Sequence, residues 1–160
     1  MNEAHLLSQA RAQLDLVLSF FARAETKASA LFGIDVAMAG VVAATVPVMG
    51  EWNRDLIAAA LATVLIGCSI SQLYLASAPQ LSGGEGSLVY FRSAAGRSEA
   101  DYVTAFSAQT IPELSQDLLQ QTWRNASILT KKFDHLDRAF RWTALAVLPW
   151  FSWIVLRATG

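Results

Sequence analysis

The chain has few cysteines and few charged residues. It contains one cysteine, Cys68, among 160 residues, which excludes an internal disulfide framework and a cysteine-rich zinc site. Charged residues make up 16% of the chain, whereas ordinary soluble domains carry about 25%. The net charge of −1 provides no basic field for binding a nucleic-acid polymer. With 54% hydrophobic residues, a membrane protein or an unusually apolar helical bundle remains.

Charged residues are nearly absent from three segments. Asp35 is the single charged residue between positions 28 and 50, and positions 56–84 have none. A helix of about 20 apolar residues crosses a hydrocarbon core of roughly 30 Å, so we predict transmembrane helices at 28–50 and 56–78. A third run at 142–156 is shorter, but it has flanking arginines and three tryptophans, which suit membrane interfaces. We predict a short third span there, with an interfacial helix as the alternative.

Lysine and arginine residues concentrate outside these runs in two segments. Residues 1–27 contain three and residues 85–141 contain seven, against one in the turn 51–55 and one in the tail. The positive-inside rule therefore predicts that the N-terminus and the middle segment are cytoplasmic. Because 27 residues precede the first run, we expect no cleaved signal peptide.

Apolar residues recur every three or four positions over 7–31 and again over 119–143. This is the pattern of a helix with one packed face, and each stripe leads directly into a predicted span. We therefore predict an all-α fold, a helical membrane protein with about three transmembrane helices and a small cytoplasmic helical bundle built from 1–27 and 79–141. The stripes pack within the chain or, alternatively, between chains, because a heptad-like seam favours oligomers.

Two capping boxes and an irregular segment divide the middle region. Thr110 with Glu113 predicts the start of the second long helix, and a weaker box at 98–101 predicts a short helix ending near Ala108. Before them, glycines at 83, 84 and 86 precede the apolar run 88–91. Such a segment is either a linker or a loop that holds a ligand.

No arrangement of residues indicates catalysis. His5 and His135 lie on separate predicted helices without a neighbouring cysteine or second histidine, so we predict no enzyme, no metal site and no cofactor. Asp35 is the exceptional residue in the spans. An intramembrane acid costs about 2.5–3.5 kcal/mol and usually faces a bundle interior or a water-filled path. We predict a functional or assembly role for Asp35, the alternative being a carboxyl drawn to headgroup water or hydrogen-bonded to a neighbouring span.

The segment Arg23–Ser29, which leads into a first span containing Gly33 and Asp35, carries a family resemblance. Together with the run 88–91 and the stretch 110–133 before the last span, it resembles the Pycsar transmembrane effector family (PycTM). The resemblance extends from about residue 8 to residue 156. It implies a bacterial antiphage effector in the inner membrane, encoded beside a pyrimidine cyclase. Such an effector responds to cyclic UMP or cyclic CMP by impairing the membrane, which causes abortive infection.

The same resemblance implies a cytoplasmic receptor for a cyclic mononucleotide. No separate nucleotide-binding domain fits in 160 residues, so the small bundle must bind the ligand, within one chain or between subunits of a homo-oligomer. A phosphate requires an arginine or lysine, and a base requires an aromatic or guanidinium plane. The cations and aromatics predicted to lie near the membrane-proximal bundle are Arg23, Lys27, Tyr90, Phe91, Arg92 and Arg97.

For Lys27, anchoring at lipid headgroups is an equally good interpretation. Two other functions remain open at this point. One is a structural or scaffold membrane protein that binds a protein partner, and the other is a constitutive holin-like pore. A neighbouring cyclase gene would favour the nucleotide-gated effector over both, whereas toxicity without any signal would favour the pore.

Overall fold

The computed structural model describes residues 2–46, 55–80 and 84–159. These residues are 88% helical and contain no strand, which confirms the all-α prediction. The helices are α1 (Glu3–Thr45), α2 (Asp55–Ser77), α3 (Phe91–Ala95), α4 (Glu99–Ala108) and α5 (Ile111–Thr159). The predicted end of the first span at 47–50, the turn with Arg54, and Gly83 lie outside the described residues.

Helices α1, α2 and α5 are each long and apolar enough to cross a membrane. Helix α1 has 43 residues and no proline, so the amphipathic stripe and the first apolar run as far as Thr45 form one continuous helix, as the sequence predicts. Helix α2 ends at Ser77, two residues before Pro79, whose ring disfavours helical conformation in the residue before it. The apolar run at 142–156 lies in the second half of α5, which continues to Thr159.

The predicted capping boxes are present at the start of α4 and α5. The Glu113 carboxylate accepts hydrogen bonds from the Thr110 backbone N–H at 2.8 Å and from its hydroxyl at 2.7 Å. These two bonds lower the pKa of Glu113 from its ordinary value, so the acceptor is charged at neutral pH. At α4, the Ser98 hydroxyl oxygen accepts from the backbone N–H of Asp101 at 3.1 Å. The sequence therefore predicts both helix starts correctly.

The chain divides into two compact units. The span unit consists of Ala24–Ala78 and Lys131–Gly160, and the loop unit consists of Met1–Arg23 and Pro79–Thr130. Helices α1 and α5 contribute residues to both units. The span unit contains α2, and the loop unit contains α3 and α4.

Several alanines are buried at the helix contacts of the span unit, while many large apolar side chains are exposed. Ala62, Ala139 and Ala146 are fully buried, whereas Ile57 and Leu148 are each 70% exposed. Alanines allow helix backbones to approach closely, which is the usual packing of helices in lipid. Large apolar side chains pointing outward would be unfavourable against water but match a hydrocarbon environment.

The tryptophans of the last helix do more than mark interfaces. Trp153 is fully buried, and its indole N–H donates to the Thr45 hydroxyl at 2.8 Å. The indole N–H of Trp150 donates to the backbone carbonyl of Met38 at 3.0 Å. Trp153 therefore packs between helices and finds its polar partner on α1, while its position at a membrane interface stays a prediction.

Candidate functional sites in the two units

The segment between α2 and α4 is held in place by side chains of the loop unit. Asp117 on α5 accepts hydrogen bonds from the backbone N–H groups of Leu88 at 2.9 Å and Val89 at 3.3 Å. The Tyr102 hydroxyl on α4 donates to the Leu88 carbonyl at 3.2 Å, and the Ser87 hydroxyl accepts from the N–H of Tyr90 at 2.9 Å. A linker would not be fixed by three side chains from two helices and its own turn. The segment is therefore fixed within the loop unit, and its holding a ligand stays a prediction.

The two predicted stacking residues lie at the junction of this loop and α3. Tyr90 precedes the helix and Phe91 is its first residue. Their rings meet edge to face at 5.0 Å between centroids, and Phe91 is 66% exposed. The exposed ring of Phe91 presents an apolar plane to the surroundings of the loop unit.

The two predicted cations that follow lie on or just after α3. Arg92 is exposed on this helix, and Arg97 follows it. A guanidinium N–H of Arg97 donates to the carbonyl of Gly86 at 3.5 Å. The structure therefore brings Tyr90, Phe91, Arg92 and Arg97 into the loop unit, in and next to one short helix.

Arg124, which sequence reasoning missed, meets this loop at Gly84. A methyl group on Gly84 would lie 2.4 Å from Cδ1 of Tyr90 and 3.2 Å from Nη1 of Arg124. That Nη1 atom is buried and has no hydrogen-bond partner among the described residues. A buried guanidinium donor without a partner is costly, so it marks a position where an acceptor is missing.

Arg124 also lines an open groove of about 530 Å³ in the loop unit. The other groove residues come from the start of α1 and the first turns of α5, and they are Leu6, Pro112, Ser115, Gln116, Leu119, Gln120 and Trp123. Trp123 is 72% exposed. Ligand sites in proteins typically measure about 300–1,000 Å³ and combine apolar walls with a few polar groups. This loop-unit groove has that size and character.

The remaining predicted cations, Arg23 and Lys27, belong to different units. Arg23 is the last residue of α1 that belongs to the loop unit. Its guanidinium lies 5.1 Å from the ring centroid of Phe20. Lys27 belongs to the span unit, where its ammonium lies 5.9 Å from the ring centroid of Phe133. Lys27 and Phe133 line a groove of about 470 Å³ between α1 and α5, together with the acidic residue Asp137.

Asp35 lies at one end of a hydrogen-bond network that joins the three helices of the span unit. Its side chain is fully buried, and its Oδ1 atom accepts from the Thr143 hydroxyl on α5 at 2.8 Å. The Ser69 hydroxyl on α2 lies 2.8 Å from that of Thr143 and donates to the Ala139 carbonyl at 3.1 Å. Asp35 Oδ2 has no partner among the described residues. The carboxyl is hydrogen-bonded to a neighbouring span, and a role of Asp35 in function or assembly stays a prediction.

A profile of the Pycsar effector protein domain matches residues 9–159. The chain belongs to the Pycsar effector family. No curated protein and no solved structure matches the chain significantly. The family match agrees with the resemblance carried by the segment Arg23–Ser29 and the stretch 110–133, and it extends over nearly the whole chain.

Membership in the Pycsar effector family makes the chain an effector of antiphage defence. The family implies cyclic nucleotide signalling and association with a membrane. The three helices that are long and apolar enough to cross a membrane agree with that location.

In this Pycsar effector, Gly84→Ala is expected to destabilise the loop unit more than Gly86→Ala. Both glycines have φ of +81°, which costs a residue with a Cβ roughly 1–2 kcal/mol. Only at Gly84 would the new methyl group also collide with Tyr90, whereas nothing lies within 4 Å of it at Gly86. Thermal unfolding of the detergent-solubilised variants should give the lower Tm for Gly84→Ala. Equal Tm values would contradict the close contact at Gly84.

Proposed function

We propose that the chain senses cyclic UMP or cyclic CMP in the cytoplasm and then impairs the integrity of the inner membrane, causing abortive infection. The observation that carries this proposal is the family match over residues 9–159 in a chain with three helices able to cross a membrane. In this proposal the effector is a multi-pass protein without catalytic activity. The N-terminus and residues 79–141 are cytoplasmic, as the distribution of lysine and arginine favours.

Recognition of the nucleotide is assigned to the loop unit. Tyr90 and Phe91 add aromatic planes, and Arg92 and Arg97 add positive charge, to the unit that receives the nucleotide. This assignment is supported by the common position of the four residues around α3, beside a loop whose backbone is hydrogen-bonded to Asp117. Arg23 adds positive charge to the same unit, whereas Lys27 lines a groove of the span unit.

The loss of membrane integrity is assigned to the span unit. Helices α1 and α5 carry residues of both units, so a change of their packing on nucleotide binding reaches the spans without a separate linker. We expect spans from several chains to reassemble and to open a polar path near Asp35, the buried acid of the hydrogen-bond network. A homo-oligomer is part of this proposal, because the heptad-like apolar stripes of α1 and α5 favour pairing between chains.

Liposomes loaded with K⁺ and carboxyfluorescein test the proposed function. The purified chain is reconstituted at several protein-to-lipid ratios, and cyclic UMP, cyclic CMP or cyclic AMP is added. Release of K⁺ or dye with a pyrimidine nucleotide, and not with cyclic AMP, is the expected result. Release without any nucleotide would favour the constitutive pore. Absence of nucleotide-dependent release at every protein density would overturn the gating proposal and favour the scaffold.

A further inference from the structure

Several buried polar side-chain atoms of the loop unit have no hydrogen-bond partner among the described residues. Of the four such side-chain atoms found in the described residues, three lie in this unit and belong to Gln109, Gln121 and Arg124. Native proteins pair nearly all buried polar atoms, so each exception requires an explanation. For Arg124 a missing ligand is a better explanation than a packing defect, because a donor atom of a cationic group is the costliest of these three atoms to leave unpaired.

Arg124 lies where it can bind a ligand in the loop-unit groove. Among the described residues that line this groove, Arg124 alone is charged. Its neighbour along the chain, Trp123, is 72% exposed and offers an indole face to the same groove. The amides of Gln116 and Gln120 line the groove one to two helical turns earlier in α5.

We propose that the loop-unit groove is the binding site for the cyclic pyrimidine mononucleotide, with Arg124 holding the cyclic phosphate and Trp123 stacking on the base. This inference rests on the proposed function for the identity of the ligand. A guanidinium binds phosphate oxygens through two parallel N–H bonds, and an indole face stacks on any base. The amides of Gln116 and Gln120 each offer a donor and an acceptor, which matches the alternating donors and acceptors on the edge of uracil or cytosine.

The groove also connects ligand binding to the loop that contains Gly84 and Leu88 and is hydrogen-bonded to Asp117. Nη1 of Arg124 lies beside Gly84, where it would be 3.2 Å from an added methyl group. A phosphate that draws the guanidinium into the groove moves Nη1 away from Gly84, so the loop that contains Gly84 gains space.

Calorimetric titration of the full-length chain in detergent with cyclic UMP and cyclic CMP tests this assignment. Arg124→Gln should weaken binding at least tenfold, Trp123→Ala should weaken it roughly five- to a hundredfold, and Arg124→Lys should fall between wild type and Arg124→Gln because it keeps the charge without the planar fork. The control is Arg11→Gln, an exposed arginine of the same unit outside the groove, which should bind as the wild type does.

A second readout separates a binding role from a structural one. Trp123 fluorescence should be quenched by the nucleotide in the wild-type chain and not in Trp123→Phe, while both keep the same Tm. If Arg124→Gln binds the nucleotide with the same affinity as the wild-type chain, the proposed site is wrong. The proposed function would be unaffected by that result. Failure of the wild-type chain to bind either pyrimidine nucleotide would overturn the proposed function together with this site.

Discussion

Thr143→Val is expected to destabilise the span unit by about 1–3 kcal/mol, because it leaves the buried carboxyl of Asp35 without a hydrogen bond. The Thr143 hydroxyl is the donor to Oδ1, and Oδ2 already lacks a partner among the described residues. Valine has nearly the shape of threonine, so packing is preserved and the lost bond dominates. The Tm of the detergent-solubilised chain should fall by roughly 2–12 °C, which circular dichroism at 222 nm measures.

Thr63→Val is the matched control for this change. Thr63 is exposed on α2, and its hydroxyl donates only to the Ala59 carbonyl of the same helix at 2.8 Å. A second comparison is the double variant Asp35→Val with Thr143→Val. When both partners of a buried hydrogen bond become apolar, most of the penalty disappears, so the double variant should be more stable than Thr143→Val alone. If Thr143→Val and Thr63→Val lower the Tm equally, the network around Asp35 does not stabilise the span unit.

The long helices were predictable because their signals are local. Apolar spacing of three and four residues and the pair Thr110 and Glu113 act within a few positions of the chain, and each defines a helix or its first residue. The three apolar runs are equally local, since length and composition alone decide whether a helix can cross a membrane. The extension of α5 to Thr159 through Pro149 was less predictable, because proline usually ends or bends a helix.

The contacts that build the candidate sites were not predictable, because they join residues far apart in the sequence. Asp117 bonds to Leu88 and Val89 from 29 and 28 residues away, and no spacing rule connects an acid on one helix with the N–H groups of a distant loop. Arg124 follows an aromatic residue within a stripe that predicts core packing. The dipeptide Trp123–Arg124 was the available signal, since a tryptophan beside an arginine pairs a stacking surface with a phosphate-binding group.

The importance of Asp35 was predictable from the sequence, whereas its hydrogen-bond partners were not. A single acid in an apolar run is visible in the sequence, and its cost in the membrane predicts that it has a role. Its partners, Thr143 and Ser69, lie on the other two spans of the unit, and only the packed helices reveal them. A carboxyl that keeps one oxygen unpaired is poorly explained by assembly alone, because a hydroxyl-bearing residue at position 35 would join the helices at lower cost.

Asp35→Asn is therefore expected to reduce nucleotide-triggered K⁺ release from liposomes at least tenfold while leaving the Kd for the nucleotide unchanged. Asparagine has the size of aspartate and retains a side-chain oxygen to accept from Thr143, so the span unit should remain folded. It cannot ionise, so it supplies no carboxylate to a cation in the polar path proposed near this position. Initial rates recorded with a K⁺ electrode provide the measurement.

Asp134→Asn, an exposed acid of α5 in the same unit, is the control and should release K⁺ at the wild-type rate. The combination of unchanged nucleotide binding, unchanged Tm and lost K⁺ release would separate a role in the path from a role in folding. Undiminished release in Asp35→Asn would exclude Asp35 from the conducting path. Loss of nucleotide binding in the same variant would instead assign Asp35 to the packing of the helices, because the groove residues of α1 and α5 belong to the loop unit.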